Sequence, residues 1–241
     1  MTAEPMALTS AISIDAAVAA ARPSTTPWTR TAARRVSLAA YAATKRALDI
    51  FVAATLLLLL LPVFALIALA ILREAGGPVF YCAERIGRFG KPFCVVKFRS
   101  MRSGCDQGAH AAFVKSLMQG TTCSVYKVPD DPRITKVGAF LRRTSLDELP
   151  QLWNVLRGDM SLVGPRPDVP YAFAEYADWI HGRLAVQPGI TGLWQVSGRS
   201  RLSLLDMYRL DVEYATHASL SQDLRILLRT IPVVLGRDGA A

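Results

Sequence analysis

The sequence is poor in the residues that build metal sites and disulfide frameworks. It has four cysteines and three histidines in 241 residues. No two cysteines stand at the spacing of a zinc knuckle or a redox pair, and the histidines form no His-x-x-x-His pair, so a zinc site is not expected. Because no secretory signal peptide precedes the cysteines, we expect them to be ordinary reduced thiols.

Glycine-rich nucleotide-binding motifs are also missing. The chain has no Gly-x-x-x-x-Gly-Lys-Ser/Thr loop and no Gly-x-Gly-x-x-Gly fingerprint, so any phosphate chemistry must use another scaffold. Acidic residues are in the minority, with 19 against 28 basic ones and a net charge of +9. This excess favours phosphate-rich partners such as nucleic acid, nucleotides or anionic lipid headgroups, although a solvated basic surface gives the same total.

Charge is absent from one long segment, which is the clearest physical signal in the chain. From Ile50 to Leu72 there is no charged residue, and residues 56–61 are six consecutive leucines. As a helix the segment would be about 34 Å long, roughly the thickness of one hydrocarbon core. This predicts membrane insertion, with a buried core helix as the alternative.

Pro62, near the middle of this segment, predicts a bend. Proline inside a helix loses a backbone hydrogen bond and clashes with the carbonyl four residues earlier, at about 3 kcal/mol. Both flanks are basic: Arg34, Arg35, Lys45 and Arg46 come before, and seven basic residues stand against two acidic ones between Arg73 and Arg102. The positive-inside rule would hold both flanks in the cytoplasm. We therefore favour a re-entrant hairpin broken at Pro62 over a kinked span.

The remaining patterns predict an α+β, predominantly helical protein. Two apolar stretches, 78–82 and 92–98, flank a glycine turn and predict a small β-hairpin. Apolar periodicity predicts helices over 146–156, 205–215 and 223–235, and a further helix is expected over 109–118. The helix over 223–235 either lies in the membrane interface or caps the domain. We divide the chain into a flexible basic tail (1–44), the membrane hairpin (45–73), a cytosolic catalytic domain (74–235) and a short tail (236–241).

The densest chemistry lies around the adjacent carboxylates Asp147 and Glu148. Ser145 and Glu148 have capping-box spacing, so the simple interpretation is a helix start, which Pro150 would weaken. On a helix the two carboxylates would point about 100° apart and would suit separate tasks at one site.

Three arginines bracket this acidic pair: Arg142, Arg143 and Arg166. Arg166 lies between two prolines, which stiffen its loop and suit bidentate phosphate binding, although a surface salt bridge in a rigid turn is the alternative. Carboxylates, arginines and an oxygen-preferring metal are the groups that phosphoryl transfer uses.

Several motifs, in order, resemble one family. The stretches 133–135, 141–152 and 158–167, together with 45–49, 77–80 with 84–87, 97–101 and 188–199, are similar to the bacterial sugar transferases, the polyprenyl-phosphate hexose-1-phosphate transferases. The resemblance covers about residues 45–235 and is greatest to the short exopolysaccharide-initiating members.

The resemblance implies a monotopic protein of the bacterial inner membrane with its catalytic domain on the cytoplasmic face. It implies a re-entrant helix broken at a proline, matching Pro62, together with a small β-hairpin and amphipathic interfacial helices. The chain departs from the family pattern at Leu61, where relatives usually carry a small polar residue, commonly Ser. Such a hydroxyl could satisfy a freed carbonyl at the break.

The resemblance also implies an activity. Asp147 would attack the sugar-linked phosphorus of a UDP-sugar, expel UMP and pass the sugar phosphate to undecaprenyl phosphate, the first membrane step of exopolysaccharide synthesis. Mg²⁺ would contact Asp147, with Glu148 assisting. Arg166 would hold phosphate, with weaker candidates for the same cradle in Arg85, Lys97, Arg99 and Arg142. Trp194 and Gln195 would line the nucleotide side or serve only in packing.

The implied partners are a UDP-sugar, undecaprenyl phosphate and membrane lipids, with no nucleic acid, and a homodimer is left open. The main alternative is a non-enzymatic membrane adapter of a polysaccharide assembly complex. It would need the hydrophobic hairpin and the basic surface but not an acidic pair beside phosphate-binding arginines. A second alternative is a glycosyltransferase that moves the sugar alone and releases UDP.

Overall fold

A computed structural model describes residues 32–101 and 133–236, beginning with two helices that meet at a bend. Helix α1 (Ala32–Leu59) and helix α2 (Leu61–Ala75) meet at Leu60 and diverge by 60°. Pro62 lies in the first turn of α2, where proline is tolerated, so the predicted break is confirmed and falls two residues earlier. In the described part of the chain no single helix is long and apolar enough to cross a membrane, but the bent pair meets that test jointly.

Helix α1 starts upstream of the boundary that we predicted between tail and hairpin. Residues 32–44 are helical rather than a flexible tail, because this stretch is rich in alanine and contains no proline or glycine. The predicted tail residues 1–31, the predicted helix over 109–118 and the last five residues lie outside the described part.

The predicted β-hairpin is confirmed. Strand β1 (Phe80–Ile86) pairs antiparallel with β2 (Pro92–Phe98) through a 3₁₀ turn over Arg88–Gly90. The structure joins Cys82 and Cys94 in a disulfide, which corrects the expectation of free thiols for this pair. The hairpin register brings their Cα atoms to 5.5 Å, a separation that sequence spacing did not reveal. Cys105 and Cys123 lie outside the described residues.

The rest of the domain is a series of short elements wrapped around the hairpin. In chain order they are α3 (Lys136–Thr144), a 3₁₀ turn (Leu146–Glu148), α4 (Gln151–Arg157), β3 (Ser161–Val163), α5 (Pro170–Phe173), a 3₁₀ helix (Asp178–Ala185), β4 (Gly189–Thr191), α6 (Leu193–Ser197), a 3₁₀ turn (Arg199–Arg201), α7 (Leu204–His217) and α8 (Leu220–Leu235). The predicted helices over 205–215 and 223–235 are confirmed as α7 and α8. The helix predicted over 146–156 is divided into the 3₁₀ turn and α4.

The structure contains a second sheet of two short parallel strands, which the sequence did not predict. Strands β3 and β4 pair through Ser161 with Gly189 and through Val163 with Thr191. Gly189 permits this approach, because a Cβ atom there would lie 2.1 Å from the backbone nitrogen of Gly164. Three-residue strands carry too little periodicity to stand out in a sequence.

The bent helix pair contributes to two hydrophobic cores. Ala53 of α1 is buried in the main core with residues of β2, α4 and α8: Val95, Val155 and Ile226. Ile67 and Ile71 of α2 are buried in the second core with Phe98 and Leu141. The segment that we predict to enter the membrane is therefore packed onto the rest of the molecule along one side.

Polar side chains of α1 tether it to the domain. Lys45 Nζ lies 2.9 Å from Asp223 Oδ2 on α8. Arg46 donates to the carbonyls of Val155 (2.5 Å) and Leu156 (2.7 Å), near the end of α4. Asp49 Oδ1 accepts from the backbone N–H of Leu162 at 3.0 Å. The charged residues of the 45–49 motif thus have structural roles in this conformation.

Candidate active site

The acidic pair lies on a tight turn between two helices. Helix α3 ends at Thr144, and Ser145 takes a left-handed conformation with φ 58°. The 3₁₀ turn that follows carries Asp147 and Glu148. The Ser145 side chain makes no capping hydrogen bond, so the capping-box interpretation is wrong. Ser145 instead terminates α3, and its backbone N–H donates to the Arg142 carbonyl at 3.2 Å.

Leucines on either side of the acidic pair fix this turn to helix α2. Leu146 and Leu149 pack against the second core, whose buried members include Ile67 and Ile71 of α2 and Phe98 at the end of β2. The turn that carries the carboxylates is therefore packed directly against helix α2. This arrangement places the acidic pair beside the segment that would meet a lipid.

Glu148 is held by two cations. Arg166 Nη2 and Nη1 contact its Oε1 and Oε2 at 2.5 Å and 3.1 Å, a bidentate fork, and Lys97 Nζ lies 3.0 Å from Oε1. The Glu148 side chain is only 18% exposed. Burial alone would raise its pKa, but the charges and hydrogen bonds of Arg166 and Lys97 outweigh burial and hold the pKa well below the ordinary value. Glu148 is thus a permanent carboxylate near neutral pH.

Asp147 has the opposite environment. Burial and the neighbouring charge of Glu148 raise its pKa, while Lys97, Arg166 and Arg142 act in the other direction without cancelling the rise. Within residues 32–101 and 133–236, no donor forms a hydrogen bond to its carboxylate. The two carboxylates therefore differ in kind, since Glu148 is neutralised by partners and Asp147 is held without a comparable partner among the described residues.

The predicted cradle residues separate into two groups. Lys97 and Arg166 contact Glu148 directly, and Arg142 is near enough for its charge to oppose the rise in the pKa of Asp147. Arg99, by contrast, donates to the carbonyls of Ala75 (2.6 Å) and Gly77 (2.6 Å) at the end of α2. The structure does not bring Arg99 to the acidic pair, because its guanidinium caps a helix end.

Arg85 contacts its own strand and acts on a tyrosine of α5. Its Nη1 donates to the Glu84 carbonyl at 2.9 Å, and its charge opposes the burial-driven rise in the pKa of Tyr171. Gln195, on α6, donates from Nε2 to the Ile190 carbonyl of β4 at 3.1 Å. Trp194 is half-buried on α6 beside it.

The loop that carries Arg166 is fixed at several backbone positions. The carbonyl of Pro165 accepts from Gly189 N at 2.8 Å, and the carbonyl of Asp168 accepts from Ile86 N at 2.8 Å. The Arg166 carbonyl accepts from Arg183 at 2.5 Å. Sequence reasoning missed Arg183, since it stands far from the acidic pair in the chain and matches no recognisable spacing.

The side chains near the acidic pair could supply only some of the ligands of a Mg²⁺ ion. In the described ranges, no group of three or more His, Cys, Asp or Glu side chains could hold a metal ion. Mg²⁺ usually keeps several waters and takes one or two carboxylates together with substrate phosphates. Asp147 supplies such a carboxylate, whereas Glu148 is committed to Arg166 and Lys97. The residues fit a Mg²⁺ ion that arrives with a diphosphate.

Comparison with known proteins agrees with the motifs. A family model described as bacterial sugar transferase matches residues 40–237. The chain is 44% identical over 197 residues to the galactosyl transferase CpsE of Streptococcus agalactiae, covering 81% of this chain and 43% of that protein. It is 42% identical over 197 residues to the undecaprenyl-phosphate galactose phosphotransferase of Salmonella typhimurium, covering 81% and 41%.

A shorter relative matches along most of its length. The exopolysaccharide production protein ExoY of Rhizobium meliloti is 42% identical over 191 residues, which cover 79% of this chain and 84% of ExoY. The chain thus spans less than half the length of the Streptococcus and Salmonella relatives but most of this one.

Proposed function

Because this chain belongs to the bacterial sugar transferase family, we propose that it moves a sugar 1-phosphate from a UDP-sugar to undecaprenyl phosphate and releases UMP. The observation that carries the proposal is the contrast within the acidic pair. Glu148 is bound by Arg166 and Lys97, while Asp147 faces no comparable partner among the described residues. Such a pair supplies one organising carboxylate and one reactive carboxylate in a cationic setting.

The reaction takes place in two displacements. An Asp147 carboxylate oxygen attacks the phosphorus that bears the sugar, and the bond to the bridging oxygen breaks, with its electron pair leaving on UMP. A phosphate oxygen of undecaprenyl phosphate then attacks the same phosphorus. The bond to Asp147 breaks, which regenerates the carboxylate and yields undecaprenyl-diphosphate-sugar. A carboxylate nucleophile divides one difficult exchange between anions into two easier steps.

The cations near Asp147 supply the electrostatic part of the reaction. The Arg166 side chain is 36% exposed while Glu148 orients its fork, so a phosphate can meet the guanidinium from the open side. Lys97 and Arg142 add positive charge around the same carboxylate. Asp147 would also hold Mg²⁺, which would neutralise the diphosphate when bound.

We propose a monotopic arrangement at the cytoplasmic face of the inner membrane. The support is the 60° bend between α1 and α2 and the exposed leucines on this pair, which include Leu58, Leu59 and Leu66. The basic flanks on both sides favour re-entry over crossing. Formation of a homodimer, which the sequence analysis leaves open, is not tested by the fold.

Radiolabelled UDP-galactose and UDP-glucose, incubated with membranes and undecaprenyl phosphate, test the activity. We expect UMP and a lipid-linked sugar phosphate from one of them, and loss of product by at least about three orders of magnitude in Asp147→Asn, which keeps the side-chain shape but removes the nucleophile. Removing divalent cations with EDTA should stop transfer, and added Mg²⁺ should restore it.

The matched control is Asp206→Asn, which removes an exposed carboxylate paired with Arg209 and should leave the rate unchanged. Full activity in Asp147→Asn would contradict the nucleophile. UDP as the nucleotide product would indicate a glycosyltransferase, and no turnover by the wild-type protein with any UDP-sugar would favour an adapter.

A further inference from the structure

A buried polar cluster lies behind the loop that carries Arg166. Its centre is Arg183, on the 3₁₀ helix Asp178–Ala185, whose side chain is 3% exposed. The Arg183 guanidinium contacts Asp211 Oδ2 from Nε (3.1 Å) and Nη2 (2.7 Å), and it also donates to the Tyr176 hydroxyl. A third contact reaches the Arg166 loop, where Nη2 donates to the backbone carbonyl of Arg166 at 2.5 Å.

The same cluster holds the loop at a second point, two residues further on. The hydroxyls of Tyr208 and Tyr176 donate to Asp168 Oδ2 at 2.5 Å and 2.9 Å, and Arg183 Nη1 lies 3.6 Å from the same oxygen. Tyr208 also lies under the Arg183 guanidinium, 5.0 Å from ring centroid to Cζ. The loop is therefore fixed by one carbonyl and one carboxylate, on either side of Pro167.

A buried polar cluster of this kind contributes little net stability to a fold. Burying an arginine and two carboxylates costs several kcal/mol per ion in desolvation, and well-packed apolar residues often stabilise as much or more. What the polar groups add is direction, because hydrogen bonds fix the position of a backbone carbonyl more narrowly than apolar contacts do. Two prolines already limit the loop's torsions, so the cluster adds a fixed location to a stiff segment.

We propose that Arg183, Asp211, Asp168, Tyr176 and Tyr208 form a positioning assembly that fixes the Arg166 guanidinium opposite the Asp147–Glu148 pair. Their contact with Arg166 is through its backbone, so they are positioning residues and not catalytic ones. The inference rests on the proposed phosphate-binding role of Arg166. It assigns to five residues outside the acidic site a share of the rate of sugar phosphate transfer.

A double-mutant cycle tests the assembly through its effect on Arg166. Tyr208→Phe removes only the hydroxyl that reaches Asp168 and keeps the ring. We expect it to lower kcat by roughly tenfold, within the ~100-fold that a 1 Å misplacement can cost. In an Arg166→Ala background, the same substitution should change the rate by less than about twofold, since the group that it positions is gone.

The affinity for the UDP-sugar is a second measurement, and it does not require turnover. In the Asp147→Asn background, the dissociation constant of the UDP-sugar is measured with and without Tyr208→Phe, and with and without Arg166→Ala. Coupling is expected here as well. The proposal would be overturned if Tyr208→Phe changed kcat, or the dissociation constant of the UDP-sugar, by the same factor with and without the Arg166 side chain.

Tyr41→Phe is the matched control for lost stability. It removes a part-buried hydroxyl that donates to Asp223 at 3.0 Å, in a cluster that shares no residue with the assembly. It should lower the melting temperature by a similar amount and leave kcat of the folded protein within about twofold. A tenfold loss in Tyr41→Phe as well would show that the rate follows stability alone. If the wild-type protein turns over no UDP-sugar, the proposed function fails; additive effects in an active protein overturn the positioning role only.

Discussion

The adjacent carboxylates of Asp147 and Glu148 have pKa values shifted in opposite directions because their neighbours differ. Glu148 lies against Arg166 and Lys97 at hydrogen-bonding distance, so its pKa is lowered despite burial. Asp147 receives the same charges at longer range, so burial and the Glu148 charge prevail and its pKa is raised. Two carboxylates with pKa values driven apart are the usual basis for separate roles at one site.

Glu148→Gln should therefore alter the pH dependence of transfer. The proposed mechanism needs the Asp147 carboxylate, so on that mechanism the rate falls as pH drops through the raised pKa of Asp147. Removing the Glu148 charge removes one cause of that rise and leaves Lys97 and Arg166 uncompensated, and both changes lower the pKa of Asp147. We expect the acid limb of kcat/KM, measured between about pH 4 and 8, to move to lower pH.

The same variant should lose roughly tenfold in rate at neutral pH, because Arg166 loses its bidentate partner. Glu213→Gln, which neutralises an exposed carboxylate on α7, is the control and should keep both the rate and the acid limb. An acid limb that moved to higher pH in Glu148→Gln would contradict the assignment of the raised pKa to Asp147.

Sequence reasoning identified individual residues where chemistry and spacing coincided. Arg166 stood out because prolines flank it, and Lys97 because it belongs to a recognised motif. Arg99 belongs to that motif as well, yet its guanidinium caps α2. Arg183 has no local signal, since its partners are spread from residue 168 to 211 and only tertiary packing brings them together.

Helix and turn boundaries followed local stereochemistry more closely than periodicity. Pro62 predicted the break, and the structure moves it to Leu60 because the first turn of a new helix accepts proline without losing a hydrogen bond. Ser145 and Glu148 matched a capping box, but Ser145, with φ 58°, ends α3, and its side chain makes no capping hydrogen bond to the 3₁₀ turn that follows. Left-handed residues other than glycine are rarely visible in a sequence.

The junction between α4 and the β-hairpin depends on Asn154, which is fully buried. Its Oδ1 accepts from Val96 N at 3.0 Å and its Nδ2 donates to the Cys94 carbonyl at 2.6 Å. Asn154→Ala leaves both backbone groups of β2 unpaired, at about 1–3 kcal/mol each. We expect a loss of about 2–6 kcal/mol in the free energy of unfolding, measured by urea denaturation in detergent micelles.

Gln187→Ala provides the comparison, since it removes a single part-buried hydrogen bond to the Gly158 carbonyl. Its cost should be about 1 kcal/mol. If Asn154→Ala cost no more than this control, the side chain would not be the link between α4 and the hairpin.

Helix α8, like the bent helix pair, exposes large apolar side chains. Helix α8 buries Asp223 and Ile226 toward the domain and exposes apolar side chains along its other face: Leu220, Leu224, Leu228, Ile231 and Val234. The sequence offered interface or cap as alternatives for this helix, and in the structure it packs on the domain while keeping an apolar face. Periodicity predicted the helix, but which face turned outward depended on the tether from α1.

The side of the membrane on which each end of the bent pair lies distinguishes the proposed re-entrant arrangement from a crossing. If α1 and α2 form a re-entrant hairpin, Ala43 and Lys91, both exposed, lie on the cytoplasmic side. With the four native cysteines changed to Ser and transfer activity retained, a membrane-impermeant maleimide should label Ala43→Cys and Lys91→Cys only after the inner membrane is permeabilised. A cysteine in a periplasmic protein, labelled in intact cells, controls for reagent access. Labelling of one of the two positions in intact cells would instead require a crossing at the 60° bend.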